Sequence, residues 1–219
     1  MNPDTILVIC SPSAGLWITH IPGRVFFVLR TILLIDGQNL FHLAKAAWGP
    51  GGAYDWPSYD VEKLAEGLAA QNPGRTLQEV RFYTGVPSRQ ANPFWNAFWT
   101  NKLRRMRDQG IIVYRGRVNV GNQEKGVDVS LAIDLVQATY DQAFEVAIIV
   151  SQDADFGPAV RLAKRVAQSQ GRHLAFESAF PYSEGRVSPR GVPGTKWVQI
   201  DQGTYDSCFD PRDYRPSGK

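Results

Sequence analysis

Thr31-Ile32-Leu33-Leu34-Ile35-Asp36-Gly37 is an unbroken apolar run that ends on a carboxylate and a glycine. Such a run suits a strand buried on both faces, and Asp-Gly marks the turn that stops it. Downstream, Val61, Leu64, Ala65 and Leu68 follow helical spacing, with Asp60 as N-cap and Pro73-Gly74 as the stop. Val80 to Thr84 reads as a second strand. Asn92-Pro93 opens a helix in which Phe94 and Phe98, and Trp95 and Trp99, recur at four-residue intervals, running on through Lys102, Arg104, Arg105 and Arg107 towards Gly110. Ile111 to Tyr114 reads as a third strand. Asp128 to Tyr140 reads as a helix with Val129, Ala132, Ile133 and Val136 on one face, and Val146 to Val150 as a fourth strand. A helix over Pro158 to Gln170, a fifth strand over His173 to Phe176 and a candidate last strand over Trp197 to Ile200 complete the pattern. Strands alternating with helices predict an α/β fold of three layers around a central, mainly parallel sheet of about five strands.

The flanks read differently. Residues 1–30 hold short apolar scraps (Ile6 to Cys10, Val25 to Leu29) separated by Pro12, Gly15, Pro22 and Gly23, with no sustained period. They are read as an N-terminal extension of uncertain order, residues 31–201 as the domain, and residues 202–219 as a polar C-terminal tail. Ser183 to Thr195, rich in Gly, Pro and Arg, reads as a long loop.

A chain of 219 residues with 43% hydrophobic and 21% charged residues is enough for one such domain. Its net charge of +3 permits a polyanionic partner without requiring one. Cys10 and Cys208 lie far apart and match no metal-ligand spacing, which points to a reducing compartment. No apolar stretch reaches the roughly 20 residues of a membrane span, and Met-Asn-Pro-Asp is no secretory n-region. The cytoplasm is the expected location.

In an open parallel sheet, ligands bind beyond the carboxyl ends of the strands. Asp36 follows the first strand, Asp153 and Asp155 follow the fourth, and Asp128 opens a helix, so all are expected at one sheet edge. Each alone is more often a cap or turn former than a ligand. Gathered together they repel one another unless a cation compensates, and oxygen donors of this kind suit Mg²⁺ or Mn²⁺. The matching chemistry is metal-assisted hydrolysis of a phosphodiester.

Ile35-Asp36-Gly37-Gln38-Asn39-Leu40, Lys125-Gly126-Val127-Asp128-Val129 and Val150-Ser151-Gln152-Asp153-Ala154-Asp155-Phe156, in that order and spacing, together resemble the NYN domain family, in its LabA-like branch of the PIN-like nucleases. The resemblance covers roughly Thr31 to Ile200. It implies a PIN-like, Rossmann-like three-layer fold and a metal-dependent ribonuclease; the expected partner is RNA, single-stranded in preference. By position, it implies that Asp36, Asp128, Asp153 and Asp155 are catalytic metal ligands and that Asn39 orients the first loop or a bound water. The departures are Gln152 for the usual Gly, which crowds the loop if positive φ is needed there, and Ala154 for Ser.

Ser151 is a hydroxyl beside the acids that either orients one of them or closes a strand-end hydrogen bond. Lys125 either meets a scissile phosphate or is simply solvated. Arg104, Arg105, Arg115 and Arg117, with Lys102 and Arg107, form a candidate phosphate track, and Arg186 and Arg190 are further candidates in the late loop. Trp95, Phe98 and Trp99 either stack on unpaired bases or pack in the core. A dehalogenase-type phosphatase is opposed by Gln38 where its second acid would stand. No P-loop or dinucleotide fingerprint is present. The rival readings are an RNA- or protein-binding module that does not cut, and the toxic half of a toxin–antitoxin pair. An exposed aromatic helix face leaves a homodimer open.

Overall fold

The strand that carries the apolar run is the axis of the molecule. In the computed structural model, which describes residues 7–11, 16–21, 24–49, 51–118 and 124–216, it extends over Arg24–Asp36. The element order is β1 (Leu7–Ser11), β2 (Leu16–Ile21), β3 (Arg24–Asp36), α1 (Gly37–Trp48), α2 (Val61–Ala70), β4 (Arg75–Val86), α3 (Pro93–Asp108), β5 (Ile112–Val118), β6 (Glu124–Lys125), α4 (Val127–Tyr140), β7 (Val146–Val150), α5 (Gly157–Ser169), β8 (Ala175–Pro181), β9 (Lys196–Ile200) and α6 (Gln202–Ser207). The breaks expected at Pro12, Gly15, Pro22 and Gly23, and part of the loop before Asp128, lie outside the described residues.

The sheet order is β6-β5-β4-β3-β7-β8-β9, with β5, β4, β3, β7, β8 and β9 all parallel and β6 antiparallel. The candidate strand at Trp197 to Ile200 is thus the sixth member of the parallel sheet. Part of the N-terminal extension adds strands too: β1 pairs antiparallel with β2, and β2 with the first half of β3.

From β3 the chain winds outward through β4 and β5, then crosses back to β7 on the other side. Right-handed crossovers in opposite directions put helices on opposite faces. Leu33, Ile35, Phe82 and Ile148 accordingly pack with α1, α2 and α3, and Ile32, Leu34, Ala147 and Ile149 with α4 and α5. These are the three layers that the alternation of strands and helices predicts.

Two caps expected from the sequence are formed. Asp60 accepts the Glu62 and Lys63 amides at the start of α2, and Asn92 accepts the Trp95 amide ahead of Pro93 at the start of α3. The helix α1, absent from the sequence reading, begins directly on Asp36. No described helix is long and apolar enough to cross a membrane.

Two sequence expectations are corrected. The buried face of α4 is Val127, Leu131, Leu135 and Ala138, while Val129 and Ile133 are 61% and 59% exposed. The helix is apolar on most sides, so periodicity could not choose its inward face. The packing of Val127 did: a methyl group at Gly116 would lie 2.3 Å from its Cγ2. Lys102, expected on a basic surface, is 1% exposed. It donates to Tyr59 O at 2.8 Å and faces Asp210 at 3.6 Å. Beyond Asp201 the chain forms α6, and Phe209 bridges to Tyr59. Asp210 is buried there and accepts the Tyr214 hydroxyl at 2.7 Å.

Candidate active site

Adjacent strands β3 and β7 are reached by chain running in opposite directions across the sheet, which makes their carboxyl ends the topological switch point at which sheets of this kind bind ligands. Asp36 is the last residue of β3 and Ser151 the first after β7. The Asp36 carboxylate accepts the Asn39 amide at 3.0 Å, capping α1, and the Ser151 hydroxyl at 3.3 Å. This α1 start needs glycine at position 37, because a methyl group there would sit 2.3 Å from Phe82 Cζ. Ser151 Oγ in turn accepts the Asp153 amide at 3.1 Å, and Asn39 Oδ1 accepts the Gln152 amide at 3.0 Å. Asp153 caps the short 3-10 turn Ala154–Phe156 by accepting the Asp155 amide at 2.9 Å. Asp128 lies in the first turn of α4, launched by Gly126 in the left-handed region with φ +81°. Asp36, Asn39, Asp128, Ser151, Asp153 and Asp155 therefore share one edge. Ser151 thus both donates to Asp36 and accepts a backbone amide.

Asp36 is 5% exposed, and burial pushes its pKa up to about 6. The neighbouring Asp128 and Asp153 charges push the same way, against the Asn39 amide and the Ser151 hydroxyl. Asp128 stands nearer the surface; desolvation first, then Asp153 and Asp155, raises its pKa as well. The other buried carboxylates all have cationic partners: Asp60 has Arg212, Glu145 has Arg30, Glu177 has Arg75 and Asp210 has Lys102. Among the described residues Asp36 has none.

A buried carboxylate without a counter-ion, beside further acids, is the donor set of a hard divalent cation. Among the described residues no three His, Cys, Asp or Glu side chains stand in ligating geometry. Asp153, for one, is turned to cap its own 3-10 turn. The charge of the set fits a divalent ion, while Asp36 and Asp153 stand as helix and turn caps.

The basic residues divide. Lys125 is exposed in β6, next to the Gly126 cap. Arg115 and Arg117 pair with Thr84 and Val86, beyond the Tyr83 level at which β4 meets Asp36, so both reach the acidic edge. Side chains alternate along a strand. Tyr114 packs on Tyr83 on the α4 side, so both arginines turn to the α3 side. Arg104 and Arg105 are not brought to the site. They lie in the last turns of α3, which leaves the acidic edge at Pro93 and descends to the start of β5, roughly 17 Å along the helix axis.

Of the aromatics, Phe98 and Trp99 are core residues at 4% and 3% exposure. Trp95 is half-buried and lines an open groove of about 540 Å³ with Gln38, Phe41 and His42. Sequence reading missed the side chains of Gln152 and Ser178. Gln152 has no positive φ, so the loop is not strained there. Its amide nitrogen donates to Ser188 O at 2.6 Å and Arg190 O at 2.9 Å. Ser178 donates to Ser151 O at 2.7 Å. No short-range pattern signals either contact.

A crystal structure of a protein of unknown function from Vibrio parahaemolyticus is similar to this chain, with a TM-score of 0.52 and 15% identity over 80% of this chain and 94% of that one. At that identity the likeness shows the fold alone. None of the curated proteins compared matches the chain. The model of the NYN domain matches residues 30–170, which takes in the second half of β3, all of β7 and every acid of the site. With that match over more than half its length, the chain belongs to the NYN domain family, whose members have a PIN-like nuclease fold.

Proposed function

We propose that this chain is a metal-dependent ribonuclease that hydrolyses phosphodiester bonds of single-stranded RNA in the cytoplasm, as its three LabA-like motifs suggest. The observation that carries the reading is the buried Asp36 carboxylate, which has no cationic partner among the described residues and stands beside Asp128 and Asp153. Asp36, Asp128, Asp153 and Asp155 would hold Mg²⁺ or Mn²⁺. When bound, such an ion supplies the charge that acidifies an attacking water and offsets charge building on the phosphodiester. Asp36 contributes a fixed carboxylate, since its two oxygens are held by the Asn39 amide and the Ser151 hydroxyl. Asn39 keeps the α1 start and the β7 end in register by accepting the Gln152 amide. Lys125, Arg115 and Arg117 offer cations to the strand on either side, and Trp95 offers a ring to an unpaired base.

End-labelled single-stranded RNA and matching DNA, incubated with Mn²⁺, Mg²⁺ or EDTA, test this. RNA cleavage that requires metal and falls at least about a hundredfold in Asp153→Asn is the expected result. Cleavage that survives Asp153→Asn overturns the assignment of the site. A second reading is favoured by one observation, that the acids are not gathered in ligating geometry. It is a non-catalytic module that binds RNA or a protein partner, and RNA retained on a filter with no cleavage under any metal would support it.

A further inference from the structure

The connection from β8 to β9, residues 182–195, contains no helix, yet it is pinned along its length. Val187 and Val192 are buried. Ser178 Oγ accepts the Val192 amide at 3.1 Å, and Lys164 donates to Gly194 O at 2.5 Å. Gly191 sits so close that a methyl group would lie 2.4 Å from Ser178 Oγ. A further tie comes from the acidic edge. The side-chain amide of Gln152 spends both of its hydrogens on Ser188 O and Arg190 O. The backbone of Gln152 is itself held by Asn39 and is followed directly by Asp153. One residue thus fastens the loop to the strand end that carries the acids.

Arg190 lies on the pinned stretch, exposed, with no carboxylate partner among the described residues. Arg186, by contrast, donates to Gly49 O. An acidic edge repels the phosphates of an RNA strand, so binding there needs a cation beside it. A guanidinium fits that task, and its main chain is already ordered, which removes an entropic cost from binding. We propose that Arg190 is a phosphate-binding residue of this site and that Gln152 is the positioning residue that holds it at the acidic edge. The proposal rests on the RNA reading above.

The test uses the full chain and single-stranded RNA in EDTA, with filter retention measured across a salt series. Losing one phosphate contact reduces the slope of log K against log salt by about 0.7, which weakens binding about fourfold near 0.15 M salt. Arg190→Ala is expected to do this and Arg190→Lys to keep the slope. Gln152→Met, similar in size and without donors, is expected to weaken RNA binding to a similar extent. It should also open trypsin cleavage after Arg190. In an Arg190→Ala background it should cost no further affinity. An unchanged slope in Arg190→Ala overturns the role of Arg190. An equal loss from Gln152→Met in both backgrounds, or unchanged trypsin resistance, overturns the role of Gln152. If RNA is cleaved with Mg²⁺ or Mn²⁺ but not retained in EDTA, Arg190→Ala is read instead as a rise of about fourfold in KM at unchanged kcat, and an unchanged KM overturns its role. A wild-type chain that shows neither retention in EDTA nor cleavage with metal sinks the RNA reading and Arg190 with it, while the trypsin arm still reads the Gln152 tie.

Discussion

Asp36 carries a charge with no cationic partner among the described residues, and this has a thermodynamic signature. Its pKa is raised from 3.8 to about 6 by burial, so the native state binds the proton more tightly than the unfolded chain. The cost to stability is therefore absent below about pH 4, grows between the two values, and is complete above about pH 6, at about 3 kcal/mol. Asp36→Asn keeps the acceptor for the Asn39 amide and removes the charge. It is expected to raise the free energy of urea unfolding at pH 7 by about 1–3 kcal/mol, with the gain vanishing near pH 4, while metal-dependent cleavage is lost. A loss of stability at pH 7 would show that the carboxylate is compensated after all. The same proton competes with metal, so metal affinity in the unmodified chain should fall as pH drops through about 6.

At the scale of elements, the site is a meeting of starts and ends: β3 and β7 end there, and α1 and α4 begin there. Helix N-termini favour negative charge, which helps keep the acids of the site ionised once a cation is bound. The aromatic groove is framed by the start of α3, where Asn92 accepts the Trp95 amide at 3.1 Å. Asn92→Ala removes that cap and should cost about 1 kcal/mol, read as a fall of about 2–4 °C in the thermal midpoint. An unchanged midpoint would mean that Pro93 alone sets the start of the helix.

Across the whole molecule, the segment after α6 closes over α3 through a buried charge. Burial pulls the Lys102 pKa down to about 8, against the pull of Asp210 and Asp60. Lys102 also lies 4.9 Å from the centre of the Tyr214 ring, so both Asp210 and Tyr214 hold the C-terminal segment to it. Asp210→Ala leaves the ammonium buried without its carboxylate and should cost about 3–5 kcal/mol by urea unfolding. Lys102→Met in the same chain should recover most of that loss. If it does not, the segment is held by packing of Phe209 and Tyr214 rather than by the ion pair.

Short-range order was legible in the residues themselves. An apolar run ending on Asp36, a second ending before Asp153, and the caps Asp60 and Asn92 each follow from interactions within a few positions along the chain. They led to the alternation of strands and helices, and from it to the acidic edge. The sequence did not reveal α1, because Asp36-Gly37 reads as a turn until Asp36 is seen capping a helix. Nor could it choose the inward face of α4, bury Lys102 beneath Tyr214, or turn Gln152 from a loop residue into a tie on Ser188 and Arg190. Those outcomes depend on partners from 38 to 112 positions away, between Gln152 and Arg190, Val127 and Tyr83, and Lys102 and Tyr214. Local periodicity and capping decide which segments are helices and strands. Only the tertiary structure decides which side chains lose their water, and with what for a neighbour.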